Sequence, residues 1–219
     1  MITIENISKD YPTRNGPRRI LDSVNLTINK GERIGIVGRN GSGKSTLIRI
    51  ISGAERPTSG HISRGLSVSW PLAFQGAFQL FLTGLDNFRF LCRVYNVDYK
   101  PLVPFLEDFS ELGPYLREPV HRYSSGMFAR LSFAISMAIE FDCFLIDEII
   151  MVGDSRFHEK CQRELFEKRK DRAMLLVSHD PNLIRHYCTS GAVLEKGTLH
   201  RYDDVGDAYK HYQDMIATA

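Results

Sequence analysis

From Arg33 the chain runs through a short apolar, β-branched stretch, Arg33-Ile34-Gly35-Ile36-Val37, straight into Gly38-Arg39-Asn40-Gly41-Ser42-Gly43-Lys44-Ser45 and then into a helical apolar pattern ending at Ser52. This strand, glycine-dense loop and helix constrain the fold more than any other stretch, because Gly, four residues, then Gly-Lys-Ser is the spacing of a phosphate-binding loop. Each residue type has a physical reason. Glycines let the backbone turn sharply with its N–H groups facing inward as an anion nest, and the positive end of the helix dipole adds to it. Lys44 reaches the β- and γ-phosphates of a nucleotide, and the Ser45 hydroxyl is a hard oxygen ligand suited to Mg²⁺. A glycine-rich turn without a ligand is the alternative, and the strand before it and the helix after it count against that reading.

The rest of the chain alternates strand and helix patterns around this unit. Ile2 to Ile7, Val24 to Ile28 and His61 to Ser63 read as strands, Cys143 to Ile146, Ala173 to Ser178 and Ala192 to Leu194 as buried strands, and Val205 to Met215 as an amphipathic helix. From Phe74 to Tyr123 aromatic and charged residues recur at helical spacing, broken by Pro101, Pro104, Gly113, Pro114 and Pro119. That texture predicts several short helices inserted into an α/β core. Lys160 to Arg172 mixes six basic residues with Glu164, Glu167 and Asp171 and reads as a solvated helix.

Three further constellations carry chemistry. Cys143-Phe144-Leu145-Ile146-Asp147-Glu148 is a buried strand ending in two carboxylates, which places them at the sheet edge where ligands of α/β folds sit. Asp147 there would hold magnesium and Glu148 would polarise an attacking water as general base, the alternative being a solvated strand end. Tyr123-Ser124-Ser125-Gly126-Met127 precedes an unbroken helical pattern containing Arg130, so it is an N-cap and also a second possible anion site. Val177-Ser178-His179-Asp180 ends another apolar run with a histidine at the same edge, where it could sense a phosphate.

Composition narrows the classes. With 28 Lys+Arg against 26 Asp+Glu the net charge is +2, too close to neutral for a protein held to nucleic acid mainly by phosphate neutralisation. The hydrophobic share of 43% is enough to bury a core without disulfides or metal, and Cys92, Cys143, Cys161 and Cys188 form no C-x-x-C pair. The start, MITIENISKDYP, reads as a strand and not as a signal peptide. No stretch approaches the 18 consecutive apolar residues of a spanning helix; even Met127 to Ile139 carries Arg130 and two serines, so work at a membrane is expected from outside the bilayer.

Together these residues resemble the nucleotide-binding subunit of ABC transporters over essentially the whole chain. The resemblance implies an α/β fold, a P-loop NTPase core with an antiparallel β subdomain and a helical insertion. It implies one domain over 1–219, with 1–75 and 140–219 as catalytic core and 76–139 as helical subdomain. Tyr11 takes the place of the aromatic that stacks on adenine, and Gly38, Arg39, Asn40, Gly41, Ser42, Gly43, Lys44, Ser45 and Thr46 that of the Walker A loop. Gln75, with Gln79 as rival, takes that of the glutamine that touches Mg²⁺ beside Ser45 and Asp147 and senses the membrane partner. The LSGGQ signature appears as YSSGM, with Ser124, Ser125 and Gly126 expected against a partner copy's ATP; Ser125 replaces a glycine and Met127 the glutamine. Asp154 falls on the D-loop aspartate and His179 on the switch histidine.

Asp147 to Cys161 resembles most the branch that exports polysaccharides, and with the chain closing at Ala219 the likeness is to the short ATP-binding proteins of Gram-negative capsular exporters. The resemblance implies ATP and Mg²⁺ as cofactors and a homodimer with ATP at its interface. It further implies an integral-membrane permease as partner, polysaccharide handled indirectly, no nucleic acid, and a peripheral place on the cytoplasmic face of the inner membrane. Phe74, Phe78, Leu80, Phe81 and Leu82 offer the permease a greasy groove or else build the helical subdomain's own core. Arg14, Arg18 and Arg19 read as a solvated loop, with anionic lipid or phosphate as the alternative. The competing functions are export of O-antigen or teichoic acid, a soluble ABC-type ATPase acting on nucleic acid or ribosomes, and a P-loop kinase or GTP switch. The last would lack YSSGM and His179.

Overall fold

The five residues before the glycine loop form the interior strand of a six-stranded sheet. A computed structural model describes residues 1–72, 76, 78–147, 154–178 and 181–217, and its contacts divide the chain into two compact units. The first comprises Met1–Pro71, Phe141–Glu148 and Lys170–Ala219, the second Leu72–Glu140 and Ile149–Arg169.

In the first unit, β1 (Ile2–Thr13), β2 (Gly16–Ile28) and β4 (Ser59–Arg64) form an antiparallel sheet in the order β2-β1-β4. The second sheet runs β5 (Val68–Pro71), β6 (Cys143–Asp147), β7 (Ala173–Val177), β3 (Arg33–Val37), β8 (Ser190–Glu195), β9 (Thr198–Tyr202). Its first five strands are parallel, and β9 folds back antiparallel on β8. Strands β6, β7 and β8 are almost continuously buried, which is why they read as apolar runs without alternation. Helix α1 (Lys44–Ser52) buries Leu47, Ile48, Ile50 and Ile51 and stops at Gly53 in a left-handed C-cap. Each of those side chains contributes about 1.5–3 kcal/mol of burial. They share one core with Ile2, Ile4 and Ile7 from β1, Leu21, Val24, Leu26 and Ile28 from β2, and Leu145 and Leu175 from the large sheet. Helices α6 (Pro181–Tyr187) and α7 (Val205–Ala217) complete this unit.

The second unit holds α2 (Gly84–Val94), α3 (Val103–Ser110), α4 (Ser125–Ala138) and α5 (Ser155–Gln162), with 3₁₀ turns at Gly113–Arg117 and Val120–Arg122. Thr83 caps α2 by accepting from the Asp86 N–H at 3.0 Å. The core is aromatic: the Phe109 ring stacks on Phe133 at 6.0 Å and meets Phe157 edge-on at 5.7 Å. All four cysteines are buried and free. Among the described residues no helix is long and apolar enough to cross a membrane.

Two short strands escape a periodicity reading, β5 because it is only four residues long and β9 because it is an edge strand with no fully buried side chain. Lys160 to Arg172 is not a solvated helix. After α5 the chain passes into a π-helical stretch, Arg163–Glu167, that buries Glu164, Leu165 and Phe166. Arg169, 7% exposed, donates to the Glu164 carboxylate at 2.7 Å and to the Met137 carbonyl at 2.7 Å near the end of α4. Paired charges that satisfy each other and a helix terminus can be buried, and composition alone counts them as surface.

Candidate active site

The glycine loop is shaped by the chain around it. A side chain at Gly38 would put its Cβ 2.5 Å from the Leu194 carbonyl oxygen, so only glycine lets β3 turn beside β8. Gly43, at φ 109, occupies the N-cap of α1, and a Cβ there would sit 2.9 Å from Leu21 Cδ2. Among the described residues no side chain caps α1, and its first turn carries no acid, so the N–H groups of that turn are open to an anion. Lys44, 6% exposed, folds its ammonium onto the loop, donating to the Gly38 carbonyl at 2.7 Å and the Arg39 carbonyl at 3.0 Å. Ser45 is exposed, Thr46 is buried with Oγ1 accepting from Arg49 at 3.2 Å, and the buried Ser42 hydroxyl has no hydrogen-bond partner among the described residues. Beside the loop lies a cavity of about 860 Å³ whose lining includes Arg18, Ile20, Arg39, Ser42, Lys196 and His211 of α7.

Register brings the second carboxylate candidate to the same edge. Asp147 pairs with Val177 and Val177 with Ile36, so the last residues of β6 and β7 lie level with the end of β3, where the loop starts. The buried Asp147 Oδ1 has no partner among the described residues. A carboxylate oxygen withheld from water and from protein donors fits a hard cation, and with the Ser45 hydroxyl it offers the oxygen donors Mg²⁺ prefers. Glu148 and His179, expected at the γ-phosphate, and Gln75, expected to touch Mg²⁺ and sense the membrane partner, lie outside the described residues. Gln79, the rival to Gln75, is exposed, and its backbone is pinned by the fully buried Asn87 side chain, which accepts from the Gln79 N–H at 2.8 Å and donates to its carbonyl at 3.0 Å.

Tyr11 is half-buried on β1, and its hydroxyl donates to Glu55 at 2.6 Å. Burial pushes the Glu55 carboxyl up, but hydrogen bonds from Tyr11, Lys9 and Arg49 outweigh it and hold the group down at about 2. Arg49 and Glu55 carry no motif of their own; only their placement after the loop could have pointed to them. The Arg14, Arg18, Arg19 cluster is divided, since Arg19 is paired with Asp10 at 3.0 Å and Asp22 at 3.1 Å.

In the helical unit, Ser124 caps α4 by accepting from the Met127 N–H at 3.2 Å, and Ser124 and Ser125 are exposed. A Cβ on Gly126 would meet nothing nearer than Ser124 Oγ at 3.9 Å. Asp154 caps α5, with Oδ1 accepting from the Phe157 N–H at 2.9 Å and Oδ2 from Arg130 at 2.8 Å. Arg130 also bonds Glu111 at 2.9 Å and lies over the Phe157 ring, so the aspartate is tied to the helix that begins at Ser124. Of the greasy run, Phe78 is core, edge-on to Phe128 at 5.0 Å, whereas Leu80, Phe81 and Leu82 are 51%, 84% and 42% exposed; Phe74 lies outside the described residues.

A strand, a glycine loop and a helix in a largely parallel sheet, with Asp147 level with the loop and its Oδ1 unpartnered among the described residues, define an α/β phosphate-loop nucleotide-binding fold. Residues 21–151 match the family model of the ABC transporter, and the chain belongs to that family. It is 59% identical to the capsule polysaccharide export ATP-binding protein CtrD of Neisseria meningitidis serogroup B, over 98% of this chain and 100% of that one. It is 58% identical to the ATP-binding protein BexA of Haemophilus influenzae, over 98% and 99%, and 41% identical to the polysialic acid transport ATP-binding protein KpsT of Escherichia coli, over 98% and 99%. Its fold matches a dimeric structure of the ATP-binding cassette MJ0796 in a post-hydrolysis state bound to ADP and Pi, with a TM-score of 0.78 at 22% identity over 94% of this chain and 99% of that one.

Proposed function

We propose that this chain is the ATP-hydrolysing, nucleotide-binding subunit of an ABC transporter that powers export of capsular polysaccharide across the inner membrane. The end-to-end identity with capsule-export ATP-binding proteins carries the reading, and the uncapped loop that grips Lys44 supports its chemistry. Tyr11 stacks on the adenine, and the residues from Gly38 to Thr46 cradle the phosphates through backbone N–H groups and Lys44. Ser45, Asp147 and Gln75 would hold Mg²⁺, which when bound neutralises charge between the β- and γ-phosphates. Glu148 takes a proton from water as its oxygen attacks the γ-phosphorus; the bond to the bridging oxygen breaks, and ADP and phosphate leave. His179 steadies the γ-phosphate. Two copies pair head to tail, each ATP lying between one copy's loop and Ser124 to Gly126 of the other, with Asp154 beside them.

The permease docks on the surface where Leu80, Phe81 and Leu82 are exposed, a few residues along the sequence from Gln75. The subunit then sits on the cytoplasmic face of the membrane without crossing it. Fractionation of cells with and without the cognate permease tests this: the chain is expected with the membranes only when the permease is present. Recovery in the cytosol under both conditions overturns the transporter reading.

A further inference from the structure

The aromatic ring on β1 is held by a group of charges that the phosphate chemistry does not need. Glu55, in the turn after α1, receives three donors: the Tyr11 hydroxyl at 2.6 Å, the Lys9 ammonium at 2.9 Å and the Arg49 guanidinium at 3.1 Å. Lys9 also donates to the Arg56 carbonyl at 2.8 Å and stands over the Tyr11 ring, 5.1 Å from its centroid. Arg49 reaches the Tyr11 hydroxyl at 3.3 Å and the Thr46 hydroxyl at 3.2 Å, within the helix that begins at the loop. The Lys9 and Glu55 side chains are only 15% and 19% exposed.

A tyrosine turns about two torsions: a bond at its hydroxyl, which lies on the axis of the second, fixes the direction of the ring, and a cation over one face favours one ring plane. Glu55 holds the hydroxyl directly and holds Lys9 over one face, so that a base would stack on the opposite one. An ammonium over one face withdraws electron density from the ring, which favours stacking of an electron-rich purine on the opposite face. We infer that Glu55 is a positioning residue for nucleotide binding, acting through Tyr11 and Lys9 on the base and not on the phosphates. The inference rests on the reading of Tyr11 as the residue that stacks on adenine.

Binding of ATP and of inorganic triphosphate, each with Mg²⁺, separates the two parts of the ligand. Losing part of the base–aromatic stacking in E55Q is expected to weaken ATP about three- to tenfold and to leave triphosphate within about 1.5-fold. In a Tyr11→Phe background the E55Q effect on ATP should fall by at least half, because the hydroxyl that transmits it is gone. If E55Q weakens ATP and triphosphate equally, Glu55 acts on the loop through Arg49 and Thr46 and the inference is overturned. If it weakens neither, it is overturned as well. Tyr11→Ala tells the two layers apart: unchanged ATP binding in that variant removes the stacking assignment itself, whereas weakened ATP binding there beside an unaffected E55Q removes only the role of Glu55.

Discussion

Helices α1 and α4 both begin at glycine-bearing segments, and they are built in opposite ways. At α1 the chain itself demands the glycines: Gly38 is pressed against the Leu194 carbonyl and Gly43 takes φ 109 against Leu21, while the helix end is left uncapped. At α4 the cap is filled by Ser124, and Gly126 faces open space. The first leaves its helix N–H groups open to an anion within one copy. The second is exposed, already satisfied internally, and carries a glycine that its own fold does not require, which is what a surface shaped for something outside the chain looks like. This difference accords with the proposal that the loop holds a copy's own ATP and that Ser124 to Gly126 faces its partner's.

The largest expected effects test the socket. Lys44→Ala removes the ammonium gripped by the loop carbonyls and should weaken ATP binding by about two orders of magnitude, read by calorimetry on the isolated subunit. Unchanged affinity would break the first half of the comparison. Glu148→Gln should leave binding intact while lowering hydrolysis about 10²–10⁴-fold. With ATP no longer consumed, the composite arrangement predicts a trapped dimer by size-exclusion chromatography; a variant that stays monomeric with ATP bound would remove the partner from the second half.

The glycines give a smaller and more direct contrast. Gly43→Ala places a side chain in a left-handed conformation with a clash, and should cost about 1–3 kcal/mol of stability by denaturant unfolding. Gly126→Ala meets no atom closer than 3.9 Å and gains helix propensity, so stability should hold or rise by up to about 1 kcal/mol. Its ATPase rate should nevertheless fall. A Gly126→Ala protein as active as the parent would show that the open space at α4 faces nothing.

Much of this site was legible because it is local. The loop, the strand before it and the strand ending in Asp147 are each written within a dozen residues, and the register that makes them level follows from parallel pairing of apolar runs. The tie between Asp154 and Arg130 spans 24 residues, and that between Tyr11 and Glu55 spans 44; neither has a spacing that sequence periodicity detects. The buried Glu164 and Arg169 pair was misread for a related reason, since a charge's solvation depends on a partner that only folding supplies. Strand β5 was missed because four residues are too few to show a period.

The smallest effect concerns acid, and it distinguishes the two helix starts by their neighbours. Glu55, beside the α1 socket, has a carboxyl lowered from 4.5 to about 2. A lowered carboxyl contributes stability that is fully present above the unfolded value of 4.5 and is lost as pH falls toward 2. Around α4, a Lys160 hydrogen bond lowers the Glu111 carboxyl and the Phe157 N–H lowers that of Asp154, so the helical unit carries its own acid-sensitive cluster. Glu55→Gln should therefore reduce Tm by about 2 °C at pH 7 and converge on the parent protein as the pH approaches 2, the small size reflecting partial exposure of the group. Asp154→Asn keeps an acceptor for the α5 cap and loses the charge facing Arg130, and its deficit should shrink over the acid range in the same way. A Glu55→Gln deficit that stays constant from pH 7 to pH 2 would mean that packing, and not the carboxylate, secures the ring beside the socket.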